Sequence, residues 1–522
     1  MPHIKIITSF LFLFISTLWG YTQDTTNTWK IDSATINTKN IPQWNIDSVR
    51  YTPTVHSLAR SPQQLRITLS GMGLVSDGDV TPFWLTNNRH GIGSISKNKQ
   101  YVRLHSLISK NWDALNISGG ADVLVSHNLN ADFYIHQLYF DFNYQQTTLS
   151  VGAKERQSLF KNALLSSGGM TLSNNARPIP QVEFAIPQFI NINGTNNKLY
   201  VMGGIAYGWQ TDNGYKKENA TNGYYADKIL YHRKYGFVKY KPNTTWNFIL
   251  GLEMDAQWGG HFYKKGKYEY KSSAKLRDFF KVLIPTSGGS SANITDRVNI
   301  VGNVYGSSHF IAEYKKQNYT IKAYHEHFFE DHSGLFFKNI PDGLYGIELN
   351  LPKKNWISDI VFEYLHSKNQ SGPFLWDKND EIPVQVSGGD NYYNHIDYIS
   401  LTNYGYAIGN PLFTSAIYNR GSSLTIYNSR LSAFHIGIGG SVNQKISYRT
   451  LVSYNKSWGT PLIPSIKIRD QFSAMCEATY NGNNKTKSWL ISCAIGYDKS
   501  QMVGDNIGIQ LKIAKTLDMS IK

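Results

Sequence analysis

Two short stretches hold the side chains best suited to chemistry. Tyr324 to His332 sets His325, His327 and His332 beside Glu326, Glu330 and Asp331. Imidazoles and carboxylates at that density are the material of a zinc site or an acid–base pair. The spacing argues against both. In a strand His325 and His327 share one face, Glu326 points the other way, and the rest fall where the strand gives out near Gly334. Three ligands would converge only if the loop folded back, so a hydrogen-bonded rim or lumen cluster is the better reading and no metal is expected. The second stretch is Asp390, Asn391, Tyr392, Tyr393, Asn394 and His395, behind two glycines. Phenol rings pack on pyranose faces while amides and carboxylates bond hydroxyls, so it suits sugar; equally, it reads as a Gly-rich connection that satisfies its own backbone. Trp84, Arg89 and Arg177 are weaker candidates of the same kind. There is no Gly-x-Ser-x-Gly elbow and no phosphate-cradling glycine loop. Asp359 and Glu363 share a strand face and are read as lining water. The chain is expected to bind, not to catalyse, and to need no cofactor.

The elements that must position these groups are strands. From Trp246 to Trp258 every even position is apolar and the odd ones are Asn247, Ile249, Gly251, Glu253, Asp255 and Gln257. A period of two with one face apolar end to end is a strand between lipid and water. Twelve steps of about 3.3 Å, tilted by about 45°, climb roughly 28 Å, the height of the apolar band of a membrane barrel. Two hairpins follow the same pattern. In one, Phe434 should face Tyr454 and Ile436 should face Val452, with His435, Gly437, Gly439, Arg449 and Ser453 turned to a wet interior. In the other, Cys476 opposite Cys493 would set Tyr480 against Trp489 and Phe472 against Tyr497. Two directly opposed thiols misfit disulfide geometry, so they are read as small lipid-facing residues. Leu199, Val201, Ile205, Tyr207 and Trp209 form a further outward row. The expectation is an all-β, transmembrane outer-membrane β-barrel of about 18 antiparallel strands.

Composition agrees. Aromatics are 14% of the 522 residues, with 34 Tyr and 12 Trp beside 43 Gly, a mixture that suits interfacial girdles and tight turns. Lys5 followed by the apolar run Ile6 to Trp19, with Gly20 as the small residue, reads as a signal peptide over residues 1–20. Residues 21–61, rich in Thr, Asn and Ser, read as a periplasmic extension or partial plug, and residues 62–522 as the barrel. The net charge of +15 is not gathered into blocks, which disfavours nucleic acid and suits phosphorylated lipid or acidic polysaccharide, or equally ordinary solubility. Short turns alternate with long connections at Gly259 to Ser307 and Ser367 to Asn394, which would face outside or fold inward.

The long phrases are also familiar. Ser166-Ser167-Gly168-Gly169-Met170, Asn175-Ala176-Arg177-Pro178-Ile179-Pro180-Gln181, Tyr324 to His332, Ser387 to His395, Gly409-Asn410-Pro411-Leu412 and Ser457-Trp458-Gly459-Thr460 together resemble the capsule assembly Wzi family in its Bacteroidetes form. The resemblance spans about residues 70 to 512. It implies an 18-stranded monomeric barrel that binds capsular or other surface polysaccharide, lectin-like and without catalysis. A passive porin-like channel is the alternative, and an outer-membrane hydrolase a lesser one.

Overall fold

The computed structural model describes residues 63–521 apart from 221–222, 284–301, 331, 353–355, 371–389, 422 and 484–486. The signal peptide, the 21–61 extension and Asp331 lie outside the described residues. Period-two patterning yields the strands β1 (Gln63–Gly78), β2 (Lys99–Trp112), β3 (Leu115–His127), β4 (Phe133–Tyr144), β5 (Thr147–Ala153), β6 (Gln181–Asn191), β7 (Leu199–Trp209), β8 (Leu230–Tyr240), β9 (Trp246–Trp258), β10 (Asn303–Lys315), β11 (Thr320–Phe329), β12 (Gly343–Asn350), β13 (Asp359–His366), β14 (Leu431–Ser441), β15 (Ile446–Gly459), β16 (Pro464–Asn483), β17 (Lys487–Ser500) and β18 (Asn506–Ile521). Each pairs antiparallel with its neighbours in one 18-stranded sheet. The sheet closes where β1 meets β18, from Gln63 opposite Ile521 to Gly78 opposite Asn506. Closure leaves no unpaired edge, the condition for a sheet to stand in hydrocarbon.

Alternation then separates two environments. Leu250 is 55% exposed while its neighbour Ile249 is 3% exposed, and the same contrast recurs from strand to strand. Leu69, Val102, Phe140, Ile347, Ile436, Ile495 and Ile509 all project from the wall. A soluble monomer rarely shows more than a few hundred Å² of continuous apolar surface. Here the apolar surface encircles the molecule. Trp112, Tyr144, Tyr240, Trp246, Tyr480 and Trp489 ring it near the short turns, and Phe133, Trp209, Tyr454, Phe472 and Tyr497 ring it near the long loops.

Two expectations about this wall need correcting. The β16–β17 register sets Ala478 opposite Cys493 and Cys476 opposite Ile495, so Tyr480 meets Ile491 and Phe472 meets Lys499. The slide is by two residues, which preserves every inward or outward assignment; apolar patterning cannot detect it. Both cysteines are free and exposed on the lipid side. Two thiols per chain should therefore react with a chromogenic thiol reagent in detergent without reductant; fewer would mean a bridge. The β14–β15 hairpin does pair Phe434 with Tyr454 and Ile436 with Val452. Secondly, the lipid row of β9 ends early. Ala256 and Trp258 are buried beneath the helix Leu276–Leu283, where Phe279 meets the Trp258 indole edge to face at 4.5 Å. The long loop after β9 folds back on the outside wall, and Lys234 caps the helix by donating to the carbonyls of Val282 (2.9 Å) and Leu283 (2.6 Å).

The main hydrophobic core lies inside the barrel. Phe83, Trp84, Met170, Tyr392, Tyr393, Tyr406, Leu412 and Phe413 belong to it, and all come from connections on the long-loop side.

Candidate functional site

Three connections enter the lumen: residues 79–98 after β1, 154–180 after β5, and the part of the β13–β14 connection from residue 390 on. The lumen wall receives them through small and polar side chains. Glu363 on β13 accepts from Ser166 Oγ (2.6 Å), the Ser167 N–H (2.7 Å) and Tyr324 Oη (2.5 Å). Glu326 on β11 accepts from the Met170 N–H (2.7 Å) and pairs with Lys161 at 3.0 Å. On the adjacent strands β14 and β15, His435 Nε2 meets the Leu165 carbonyl at 2.7 Å, Arg449 donates to the Leu164 carbonyl at 3.1 Å, and Trp84 Nε1 donates to Ser453 Oγ at 2.9 Å. A Cβ at Gly437 would lie 2.2 Å from the Leu165 carbonyl oxygen, so glycine is required for the loop to touch the wall. The face expected to line water is instead a docking surface for protein.

The inserted segments also lock to one another. Asn410 donates to the Gly168 carbonyl (2.7 Å) and Ser167 Oγ (3.1 Å), and Asn175 donates to the Ala407 carbonyl (3.0 Å) and Ser415 Oγ (3.1 Å). Tyr393 Oη donates to the Met170 carbonyl while accepting from the Asn410 N–H. Gly409 sits at that junction, where a Cβ would come within 2.1 Å of both Met170 O and Tyr393 Oη. Of the six phrases that resemble the family, four thus meet in one plug through Met170, Asn175, Tyr393 and Asn410, and a fifth supplies Glu326 from the wall.

This placement decides what the candidate residues can do. Trp84, Tyr392 and Tyr393 are fully buried, and Arg89 and Arg177 nearly so. Tyr392 accepts from Asn339 Nδ2 at 2.5 Å, and Tyr393 stacks on Phe328 at 5.4 Å. Burial pushes both phenols well above their usual pKa. Arg89 lies 3.7 Å from Glu477. None of these five reaches an external polymer. Asp390, Asn391 and His395 are half-buried, and Asn391 Oδ1 accepts from Ser429 and Asn394 at 3.0 Å each. His325 and His327 face outward, paired across the sheet with Phe310 and Ser308. His325 stacks on Tyr345 at 4.2 Å, and His327 is bonded to the carbonyls of Asp342 (3.1 Å) and Gly334 (3.0 Å). The structure does not bring them to the Asp390 segment.

His395 Nδ1 accepts the backbone N–H groups of Asp397 (3.0 Å) and Tyr398 (3.4 Å), which only an unprotonated nitrogen can do. Burial lowers its pKa from the ordinary 6.5. The unfolded imidazole takes its proton below that value and the folded one resists, so the turn is held above it and loosens as pH falls through it. Deuterium uptake over residues 394–400 should rise on acidification from about pH 7.5 to about 5.5, by up to roughly tenfold per unit. Unchanged uptake after correction for intrinsic exchange would refute this.

Two inward groups have metal-like geometry, Asp122 with His136 and Glu155, and Glu253 with His309 and Glu326. Each already holds a cation: Arg103 sits on Asp122 and Glu155, Arg233 on Glu253 (2.5 Å), and Lys161 on Glu326. Arg103–Asp122 and Arg233–Glu253 join neighbouring wall strands, while Glu155 and Lys161 tie the 154–180 insertion to these wall charges.

Outside the plug lies a small three-stranded sheet of Tyr225–Asp227, His261–Lys264 and Lys267–Lys271. Its inner side packs Phe262, Ala226 and Tyr270 on Tyr398, and Tyr270 Oη donates to Asp397 at 3.1 Å. Its other side carries Tyr225 stacked on Tyr263 at 4.5 Å, and Tyr263 meets Tyr268 edge to face at 5.9 Å. Tyr268 is 57% exposed, and Lys264, Lys265, Lys267 and Lys271 surround the rings. Sequence inspection passed over this surface, although the alternation of Tyr and Lys in His261–Lys271 is visible there. The Asp390–His395 segment lies next to Asp397 and Tyr398, which support this sheet from below.

No family model and no curated protein matches the chain. Similar solved structures include Pseudomonas aeruginosa OccK3 (OpdO), 11% identical with TM-score 0.45 over 88% of this chain and 96% of that one. OccK5 (OpdH) of the same organism is 9% identical with TM-score 0.43, over 88% and 98%. A loop-deletion mutant of OmpT, an outer membrane protein of Vibrio cholerae, is 9% identical with TM-score 0.36, over 88% and 100%. Closure, the lipid belt, its two girdles and the asymmetry of the connections decide the location. The chain is an outer-membrane β-barrel. Its turns of two to eight residues and both barrel termini then face the periplasm, and its plug-forming loops and Tyr/Lys sheet belong to the cell surface.

Proposed function

We propose that this barrel holds capsular or other surface polysaccharide at the cell exterior, as a closed anchor without a catalytic step. The observation that carries the reading is the outer sheet: the exposed Tyr268 ring beside the half-buried Tyr263, with exposed lysines on the same strands, on a platform fixed to a packed plug. Ring faces take the apolar side of pyranoses and the lysines favour an acidic polymer. The motif resemblance to the capsule assembly Wzi family supports the same reading. Replacing Tyr263 and Tyr268 by Ala should each weaken binding of the purified barrel to acidic polysaccharide by about 1 kcal/mol, roughly fivefold in Kd. Added salt should weaken it further. Deleting the gene should shift polysaccharide from cell-bound to shed; unchanged retention would sink the proposal.

A second reading, a narrow channel, is favoured by the periplasmic half of the lumen, where inward Arg66, Glu313, Lys315 and Asp518 remain partly exposed. Conductance in a planar bilayer separates the two. The anchor gives no large steps in its plugged form.

A further inference from the structure

Two outward positions break the lipid pattern of the wall. Lys234 on β8 lies between Ile205 and Met254, and His327 on β11 pairs with Ser308, which in turn faces Leu252. Ile205 is exposed to lipid and stands four residues short of the girdle residue Trp209 on the same strand. Four steps of about 3.3 Å, tilted by about 45°, put that level roughly 9 Å below the girdle. A lysine facing hydrocarbon is costly, by about 2–4 kcal/mol at the bilayer midplane and less toward its edge.

Protein covers both. The helix Leu276–Leu283 descends along the wall: Ala274, just before it, lies beside Gly259, and its last carbonyls accept from Lys234. Phe279 and Val282 pack on the wall, where Tyr207 Oη donates to the Phe279 carbonyl at 2.8 Å. On the side turned away, Leu276 and Phe280, one turn apart, are 74% and 63% exposed. The β11–β12 connection does the same for His327. Phe337 lies on its imidazole at 4.5 Å and reaches Phe310 of the lipid row at 6.0 Å, while Phe336 and Ile340 are 56% and 58% exposed. Each segment thus replaces a polar stretch of wall by an apolar outer face that continues the belt of Ile205 and Phe310.

We infer that these two segments lie inside the outer leaflet, and that lipid acyl chains are the partner of Leu276, Phe280, Phe336 and Ile340. Large apolar side chains grouped in this way would be an aggregation surface in water; beside the belt they extend it. Residues 272–275 join the helix directly to the Tyr/Lys sheet, so the same anchor ties that sheet to the membrane surface. The inference does not depend on what the sheet binds.

The test uses the full chain in phosphatidylcholine liposomes, with Cys476→Ala and Cys493→Ala so that a nitroxide can be attached at one new cysteine. Power saturation compares collision with oxygen, which concentrates among acyl chains, and with a water-soluble nickel chelate. Labels at Phe280→Cys and Ile340→Cys should favour oxygen severalfold, as a label at the lipid-facing Ile495→Cys does, and opposite to one at the exposed Lys467→Cys. Preference for the chelate would place the segment in water, and shielding from both reagents would place protein on it. Either result at Phe280 overturns the inference for the helix, and at Ile340 for the connection. Should a substituted chain not reconstitute, the wild type decides: a phospholipid with a diazirine in its acyl chain should label peptides holding residues 276–283 and 334–342, and their absence among the labelled peptides refutes the inference.

Discussion

Replacing residues 157–176 with a short Gly/Ser turn is expected to convert a barrel that gives no large current steps into an open pore. The strands flanking this insertion are already neighbours, with Gly152 opposite Gln181, so a short hairpin can close the gap without disturbing the wall. The insertion supplies the groups held by Glu326, Glu363, His435 and Arg449 on β11, β13, β14 and β15, and it is the partner of Asn410, Ser415 and Tyr393 in the other plug segment. Without it, the second segment loses the surface it packs on. A barrel of 16–18 strands is wide enough to leave an aqueous channel when nothing fills it. Single-channel recording checks the result. Porin-sized steps in the wild type would show that the plug does not seal, and identical silence in the deletion would show that other loops suffice.

The second large effect is expected from Glu326→Ala. Lys161 and Glu326 are each only 1% exposed on their side chains, and the Lys161 ammonium also lies over the Tyr324 ring at 4.2 Å. Removing one partner strands the other charge in a desolvated site, which costs about 3–5 kcal/mol. The wall's own hydrogen-bond ladder survives, so the loss should appear as release of the 154–180 loop and not as collapse of the barrel. Protease cleavage within that loop should rise steeply while heat-modifiable gel migration is retained. The pair Lys161→Met with Glu326→Leu should recover the part of the loss that comes from the stranded charge, while the Met170 N–H still lacks its acceptor. A Glu326→Ala loop as resistant as wild type would show that the pair contributes nothing.

Much of the wall was legible in the residue pattern. A strand has a strict period of two, so the outward rows of β9, β14 and β15 and the number of strands follow from composition at alternate positions. The Phe434–Tyr454 register was readable too, because the Asn443-Gln444-Lys445 turn is short and leaves few alternatives. The β16–β17 register was not, since a slide by two leaves each side chain in the same environment. The candidate site was legible as a set of residues but not as a role. Tyr392, Tyr393, Arg89 and Arg177 have the chemistry of sugar contacts, and nothing local distinguishes a tyrosine that meets solvent from one packed on Phe328. Lys161 carries no local signal at all, because its meaning is the carboxylate on a strand far along the chain.

What the sequence determines by itself is therefore most of the membrane wall: which side chains point outward, where most girdle residues fall, and which connections are long. Those properties rest on neighbours one or two residues apart, and a bilayer enforces them on every strand in the same way. Only the tertiary structure decides that the lumen is filled, that Glu326 and Glu363 hold a plug, and that the exposed Tyr268 and half-buried Tyr263, not the buried Tyr392 and Tyr393, face the outside. These depend on contacts between segments more than 150 residues apart, such as Met170 with Glu326 and Asn175 with Ala407, whose partners are selected by where a closed barrel places them.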